Sequence, residues 1–313
     1  MQHFWIVLAV TGALLQAIRT AAQRDLNKHL STMATTYVRS LFGLPLLIVY
    51  LLAVMHGTGE GLPRFGLAWL SYTFVGAMAQ VVATALLIRM FTLRSFGVGT
   101  ILTKVDVVIT ALLGALFFSE RLSAGGLLAL LVVMSGVLLM SLERTQRAGG
   151  LVPSAGSGLL GSIGALLADK SILVALGCAG SFAISFLTFR EAALVIGEGT
   201  FLWRGAWTVV LAILMQTVIV GAWLVWREPG LAAKVVPHVR ISAFIGATSA
   251  VGSICWFTAF ALENASYVRA VGQIEVVFTL LVAAFYYRER ISVLEYAGIA
   301  LTVAGVVMFR LLV

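Results

Sequence analysis

Charged and amide side chains recur at matching places in two long apolar segments of the sequence. Lys104 and Asp106 lie a third to half of the way along a predicted fourth membrane span, and Gln273 and Glu275 occupy the equivalent place in a predicted ninth. An ionised side chain at the centre of a membrane helix costs about 2.5 to 3.5 kcal/mol, so such residues are retained where they pair or line a wet cavity. Residues two apart on a helix point about 200° from each other, so at least one of Lys104 and Asp106 needs a partner on another helix or a cavity.

This polar cluster has two interpretations. If the four side chains converge near the midplane, they can bind the charged ends of a zwitterionic or polar substrate, and a buried carboxylate can also exchange a proton. Alternatively, Asp106 and Glu275 pair with lysine or with helix ends and lock two parts of the chain together. The sequence leaves both interpretations open.

Two arginines form a second candidate group. Arg39 and Arg204 lie at the starts of the predicted second and seventh spans. An arginine near a helix end commonly extends its charged group to the lipid headgroups. The alternative is that one of the two binds a substrate carboxylate through paired hydrogen bonds.

Uncharged polar and aromatic residues in the spans complete the set of candidates. Interhelical hydrogen bonding is the commonest use of an amide such as Gln216, and Gln16 and Gln80 are candidate cavity residues as well. Tryptophan is enriched at membrane interfaces, but Trp256 lies nearer a span centre and is a candidate for a cavity wall. The predicted substrate-binding residues are Lys104, Asp106, Gln273, Glu275, Gln16, Gln80, Arg39, Arg204 and Trp256.

The composition places these residues in a membrane. Of 313 residues, 61% are hydrophobic and 11% are charged, and the mean hydropathy is +1.04. The charged side chains are too few to cover a soluble protein of this length, and disorder requires low hydrophobicity and high charge. The net charge of +8 fits Lys and Arg in short loops as topology determinants better than it fits binding to nucleic acid. We therefore expect an all-α polytopic membrane protein.

Apolar segments separated by polar residues predict about ten membrane-spanning helices, since each span takes about 20 apolar residues. None of these segments alternates polar and apolar residues as the strands of a membrane β-barrel do. The first has no basic residues before it and no A-x-A-like site at its end, so we expect a retained helix, not a cleaved signal peptide. The predicted spans are 4–23, 34–55, 66–88, 97–118, 124–142, 172–190, 200–225, 241–260, 267–286 and 293–311.

A stretch rich in Gly and Ser, from Glu143 to Lys170, divides the chain near its middle and has the composition of a linker. We predict a first five-helix unit at 1–147, a linker at 148–170 and a second five-helix unit at 171–313. A run within the linker, LLGSIGALLA, is too short to span a membrane and is a candidate for a helix on its surface.

The two units resemble each other in sequence. Residues 117–123 (FFSERLS) match 286–292 (YYRERIS) at an offset of 169 positions (289 − 120), and 104–106 match 273–275 at the same offset. Because five is an odd number of spans, a duplicated five-helix unit re-enters the membrane from the opposite side, and the two copies are inverted. Two further matches, at slightly smaller offsets, align 24–25 with 190–191 and Arg39 with Arg204.

The segments VDVVITALLGALFFSERLS and IEVVFTLLVAAFYYRERIS resemble the end of an EamA domain, which occurs twice in many members of the drug/metabolite transporter superfamily. In the family pattern an acidic residue precedes a proline. Here the acidic residues are Asp106 and Glu275, and Val107 and Val276 replace the proline, so no proline kink is expected. The resemblance covers nearly the whole chain and implies a ten-helix carrier of small metabolites or amino acids, most often an exporter, in the bacterial inner membrane.

An inverted repeat is the arrangement from which alternating access arises in secondary transporters. The predicted function is therefore secondary transport of small polar or amphipathic organic solutes such as amino acids. The expected partners are this solute, membrane lipid and a candidate coupled proton. We expect no nucleic acid partner, no cofactor, no metal site and no catalytic residues. The first alternative is a channel or a lipid-handling protein, and the second is an intramembrane enzyme.

The orientation of the chain stays open. A count of basic residues in the loops favours both termini outside the cytoplasm. This count assigns Arg19 and Arg39 to the loops on one side and Arg269 to those on the other. The family resemblance favours both termini inside.

Overall fold

The computed structural model describes residues 3–93, 103–147, 170–286, 288 and 291–313. Every regular element in these residues is helical, and each of the ten predicted spans corresponds to a helical segment, which confirms the all-α polytopic fold class. Eight segments in these ranges are long and apolar enough to cross a membrane. The helices are α1 (Phe4–Leu26), α2 (Thr32–Thr58), α3 (Leu67–Leu93), α4 (Asp106–Phe117), α5 (Ala124–Arg147), α6 (Lys170–Val195), α7 (Phe201–Arg227), α8 (Leu231–Val235), α9 (Val239–Leu262), α10 (Ala265–Gly272), α11 (Ile274–Phe285) and α12 (Val293–Leu312), with 3-10 turns at Thr103–Val105 and Val236–His238.

Most of the predicted linker and the surface helix expected within it lie outside the described residues. So do positions 287, 289 and 290 of the second turn motif. The boundaries proposed for the two units stay a prediction.

Two helix caps fix the register between α2 and α7. The hydroxyl of Ser31 accepts the backbone N–H of Ala34 at the start of α2, and the hydroxyl of Thr200 accepts that of Trp203 at the start of α7. The two caps are 169 positions apart (200 − 31), and α2 and α7 are both 27 residues long. At this offset Arg39 corresponds to Thr208, so the match of Arg39 with Arg204 is wrong.

Equivalent helices of the two halves pack against each other in opposite directions. In the α5–α12 pair, Gly136 lies against Gly298, and Gly125 near the start of α5 lies against Leu312 near the end of α12. The α2–α7 pair is also antiparallel, because Tyr37 near the start of α2 contacts Gly221 near the end of α7. The two halves are therefore inverted relative to each other.

Other contacts between the halves join helices that are not counterparts of each other. In the α1–α9 pair, Gly12 lies against the Trp256 ring, and in the α3–α6 pair, Gly177 lies against Leu86. Since α9 is the counterpart of α3 and α6 the counterpart of α1, each contact repeats the other with the halves exchanged. This pattern is the one that a two-fold relation between the halves produces.

The ninth predicted span is two helices, not one. It is interrupted at Gln273, whose N–H bonds to the Ala270 carbonyl and whose carbonyl accepts the N–H of Val276, so the turn is tightened to the 3-10 pattern. The Gln273 side chain also bonds to the carbonyl of Arg269, four residues earlier (3.4 Å). The chain therefore breaks here without a proline, and the ninth predicted span consists of two consecutive helices, α10 and α11.

The described part of the fourth span has a related form. The 3-10 turn Thr103–Val105 leads directly into α4, which begins at Asp106. Glu275 holds the corresponding place in the first turn of α11. A carboxylate in the first turn of a helix is stabilised by the helix dipole, which accounts for an acidic residue at both positions.

Candidate functional site

An ion pair links the two halves at the starts of α4 and α11. The ammonium group of Lys104 donates to the carboxylate of Glu275, with Nζ 2.6 Å from Oε2. The amide of Gln16 in α1 donates to the same oxygen at 2.9 Å. Burial of all three side chains means that the charges compensate each other with little help from solvent.

A second ion pair lies beside the first. Arg269 of α10 places Nη2 2.6 Å and Nε 3.2 Å from Oδ2 of Asp106. The amide of Gln273 reaches the other oxygen, Oδ1, at 3.5 Å. The guanidinium carbon of Arg269 lies 4.2 Å from the centre of the Phe186 ring and 5.0 Å from that of Trp256. Arg269 is thus a buried residue, and its assignment to a loop is wrong.

The structure brings together five of the predicted residues, namely Gln16, Lys104, Asp106, Gln273 and Glu275. Each carboxylate takes its cation from the other half of the chain, so both ion pairs hold the halves together. In this conformation the geometry matches the pairing interpretation of these acids. Binding of a substrate to them stays a prediction.

Arg39 organises a third polar group, from α2, α3 and α7. Its Nη2 lies 2.6 Å from the amide oxygen of Gln216, and its Nη1 lies 3.4 Å from that of Gln80. Gln216 in turn donates to Gln80 (2.8 Å) and to the Ala77 carbonyl (3.1 Å). Arg39 is only 2% exposed, so its guanidinium does not extend to the headgroups.

Arg204 does not join this group. Gln216, the partner of Arg39 on α7, lies twelve residues after Arg204, which is about 18 Å along a helix. The Arg204 side chain is half-buried near the start of α7. Of the two arginines, the structure places Arg39 alone among the other candidates.

A small, largely enclosed cavity of about 20 Å³ lies between these groups. A water molecule needs at least about 10–15 Å³, so the cavity has room for about one, and a solute can enter only if helices move apart. Its polar lining is Gln16, Arg19, Arg39, Gln80, Thr84 and Ser253. Its aromatic lining is Phe182, Phe186, Trp256, Phe257 and Phe260.

The sequence analysis missed Arg19. This residue is 7% exposed and lines the cavity, although the charge count assigned it to a loop. A signal was present in α1, because Gln16, Arg19, Thr20 and Gln23 follow the i, i+3, i+4, i+7 spacing of one helix face. All four are buried, so α1 turns a polar stripe toward the interior.

The sequence model of the EamA-like transporter family matches residues 3–142 and 169–311 of this chain. The chain belongs to the EamA-like transporter family. Its fold matches a crystal structure of a protein that is 16% identical, with a TM-score of 0.67 over 100% of this chain and 97% of the other. At this identity the likeness shows the fold alone, and no curated protein matches the sequence.

The family match includes both kinds of buried charge. Asp106 and Glu275 are paired across the halves. Arg19 and Arg39 line the cavity.

Proposed function

We propose that this protein is a secondary transporter that moves small polar or amphipathic organic solutes, amino acids among them, by alternating access. The observation that carries the proposal is the small, largely enclosed cavity between two inverted halves, lined by buried polar and aromatic side chains. Solutes bind near the interface of the repeats in carriers of this architecture. Membership of a transporter family supports the same function.

Contacts at both ends of the α2–α7 pair supply the two gates that alternating access needs. At one end, Glu60 after α2 accepts the backbone N–H (2.7 Å) and the hydroxyl (3.0 Å) of Thr200. At the other end, Glu228 after α7 accepts the hydroxyl of Ser31 at 2.6 Å. We call these two contacts the end latches. If one latch opens while the other stays closed, the cavity faces one side of the membrane at a time.

The ion pairs suit a carrier that changes shape. Lys104 with Glu275 and Arg269 with Asp106 keep four charges compensated inside the protein while the helices around the cavity move. In this proposal Asp106 and Glu275 compensate the buried cations, and one of the two also exchanges a proton. We place the protein in the bacterial inner membrane as an exporter, and amino acid export is the form that the family resemblance favours.

Reconstitution into proteoliposomes tests the proposal. Labelled amino acids and related metabolites are supplied one at a time, outside vesicles that are empty or loaded with the same unlabelled solute. A carrier gives uptake that saturates and is accelerated by internal solute. Uptake that rises linearly and shows no acceleration identifies a channel, and a covalently altered solute identifies an enzyme.

A matched pair of variants links the transport to the cavity. Ser253→Phe introduces a large side chain into the cavity lining, whereas Ser135→Phe places the same side chain on an exposed face of α5. We expect the first variant to lose transport and the second to retain it, with both eluting as folded protein. Equal transport by the two variants would contradict this location of the pathway.

A further inference from the structure

The charged residues that line the cavity all have the same sign. Arg19 and Arg39 belong to its described lining, and no carboxylate does. The nearby acids Asp106 and Glu275 lie outside the lining, where each already has a cation at 2.6 Å. The cavity therefore holds two guanidinium groups that lack a carboxylate partner in the described part of the chain.

Several hydrogen-bond donors at the cavity also lack an acceptor. Nε of Arg19, Nε of Arg39 and the indole N–H of Trp256 are buried and have no partner among the described residues. The partners of Arg39 are neutral amides, which leave its charge uncompensated. Buried donors without acceptors are costly, so this lining favours a ligand that brings acceptor atoms and negative charge.

The charges around the cavity do not sum to zero. Lys104 and Arg269 are paired with Glu275 and Asp106, whereas Arg19 and Arg39 have no carboxylate of their own among the described residues. Any attraction of Arg19 to Glu275 acts on a carboxylate that Lys104 already compensates. A carboxylate bound between the two arginines therefore offsets part of their positive charge.

The two cations are features of one half alone. At the offset of 169 positions that the caps of α2 and α7 define, Arg39 corresponds to Thr208, whose hydroxyl bonds to a carbonyl of its own helix. The match of 24–25 with 190–191 places Ser185 at the position of Arg19. The fold therefore does not require arginine at these places, and the two guanidinium groups belong to the first half alone.

The second half contributes the aromatic lining of the cavity. Phe182 and Phe186 of α6 stack with ring centres 5.4 Å apart. Trp256 adds a further ring beside them. The first half thus supplies the cations of the lining, and the second half supplies its aromatic rings.

Resting on the proposed function, we infer that the transported solute is a carboxylate with an aromatic or comparably flat apolar body. Its carboxylate binds between Arg19 and Arg39, and its apolar part lies against Phe182, Phe186 and Trp256. An ammonium group on the solute finds no carboxylate in the described lining. A simple aromatic acid therefore binds more tightly than the matching amino acid.

Thermal unfolding of the detergent-purified full chain tests this inference, because a ligand of the folded state raises the unfolding temperature with concentration. The probes are 3-phenylpropanoate, its neutral amide, 3-phenylpropylamine and phenylalanine. We expect at least tenfold tighter binding of 3-phenylpropanoate than of the amide or the amine, with phenylalanine between. Equal binding of acid and amide, or tighter binding of the amine, would overturn the inference.

Variants assign the carboxylate contact. Arg19→Gln and Arg39→Gln are expected to weaken 3-phenylpropanoate binding at least tenfold and to leave amide binding unchanged, and Arg19→Lys to retain part of the affinity. Arg204→Gln is the matched control and should bind as the parent does. Two variants can refute the assignment: the single variant Arg19→Gln, and the double variant that combines Arg19→Lys with Arg39→Gln. Unchanged affinity for 3-phenylpropanoate in either variant, once it is shown to be folded, would refute it.

The two proposals fail in different ways. Accelerated exchange of other solutes without any preference for carboxylates would leave the transport function in place and remove the inference. Arginine-dependent binding of 3-phenylpropanoate without exchange of any solute would retain the anion site and remove the transport function.

Discussion

Lys104 and Glu275 form an ion pair across the boundary between two inverted halves, with Nζ and Oε2 2.6 Å apart and side chains only 6% and 2% exposed. Neither residue can find a substitute partner in solvent. Removal of one charge leaves the other buried and uncompensated, whereas removal of both leaves neutral groups. The pair therefore predicts strongly non-additive effects of mutation.

Glu275→Gln is expected to destabilise the protein by about 3 to 5 kcal/mol, because it leaves Lys104 charged and unpaired. The double variant Lys104→Gln, Glu275→Gln should recover most of this loss. Unfolding of the purified proteins measures both effects. Additive losses in the double variant would show that the two side chains do not interact as described.

The same variants separate pairing from transport. If the charges only hold the halves together, the stable double variant transports at the parent rate. If Glu275 acts in the transport cycle, the double variant stays inactive although it is folded. Counterflow in proteoliposomes distinguishes these outcomes and decides between the two interpretations that the sequence left open.

A second prediction concerns Glu120, whose carboxylate caps the N-terminus of α10. It accepts the N–H groups of Ala265 (2.7 Å) and Ser266 (3.1 Å) and the Ser266 hydroxyl, and Arg190 lies 3.4 Å away. Glu120→Ala leaves these buried donors unsatisfied. We expect a loss of about 2 to 4 kcal/mol, seen as a lower unfolding temperature.

Glu198→Ala is the matched control for Glu120→Ala. Its contact with Arg64 spans 3.9 Å, and both side chains are largely exposed, so the change should be within about 1 kcal/mol of zero. A comparable loss in both variants would argue against a special role for the cap on α10.

Part of the site follows from the cost of charge in an apolar environment. Lys104, Asp106 and Glu275 stand out because a membrane helix tolerates few ionised groups, and the repeat aligns them with one another. Their convergence in space is therefore predictable. Their partners are not, because pairing depends on which helices the inverted halves bring together.

The arginines show where sequence reasoning fails. Arg19 and Arg269 lie near the ends of apolar segments, where a loop position is the ordinary expectation. Burial of Arg19 follows from the polar face of α1, and burial of Arg269 follows from the break at Gln273, which no proline announces. The equivalence of Arg39 and Arg204 failed for a simpler reason, since the helix caps define a different register.

A third prediction tests the close packing of α5 on α12. A Cβ on Gly136 would lie 2.6 Å from the Gly298 carbonyl oxygen, a backbone atom that cannot move alone. Gly136→Ala should therefore push the helices apart and cost about 1 to 3 kcal/mol. Gly180→Ala, in α6, meets nothing within 4 Å and should leave stability unchanged or slightly raised.

The fourth prediction assigns each end latch to one side of the membrane. Glu60→Ala removes the acceptor of the Thr200 hydrogen bonds, and Glu228→Ala removes that of the Ser31 hydrogen bond. Loss of about 1 kcal/mol at one end shifts the balance between inward- and outward-open states about fivefold toward opening at that end.

A cysteine reporter in the cavity measures this shift. Ser253→Cys is made in a background of Cys178→Ala and Cys255→Ala, and a membrane-impermeant maleimide is applied to vesicles of either orientation. Glu60→Ala should speed labelling from the side of the α6–α7 loop, and Glu228→Ala from the opposite side. Faster labelling from the same side in both variants would mean that the latches do not gate separate ends, because each variant opens the cavity only where its own contact is lost.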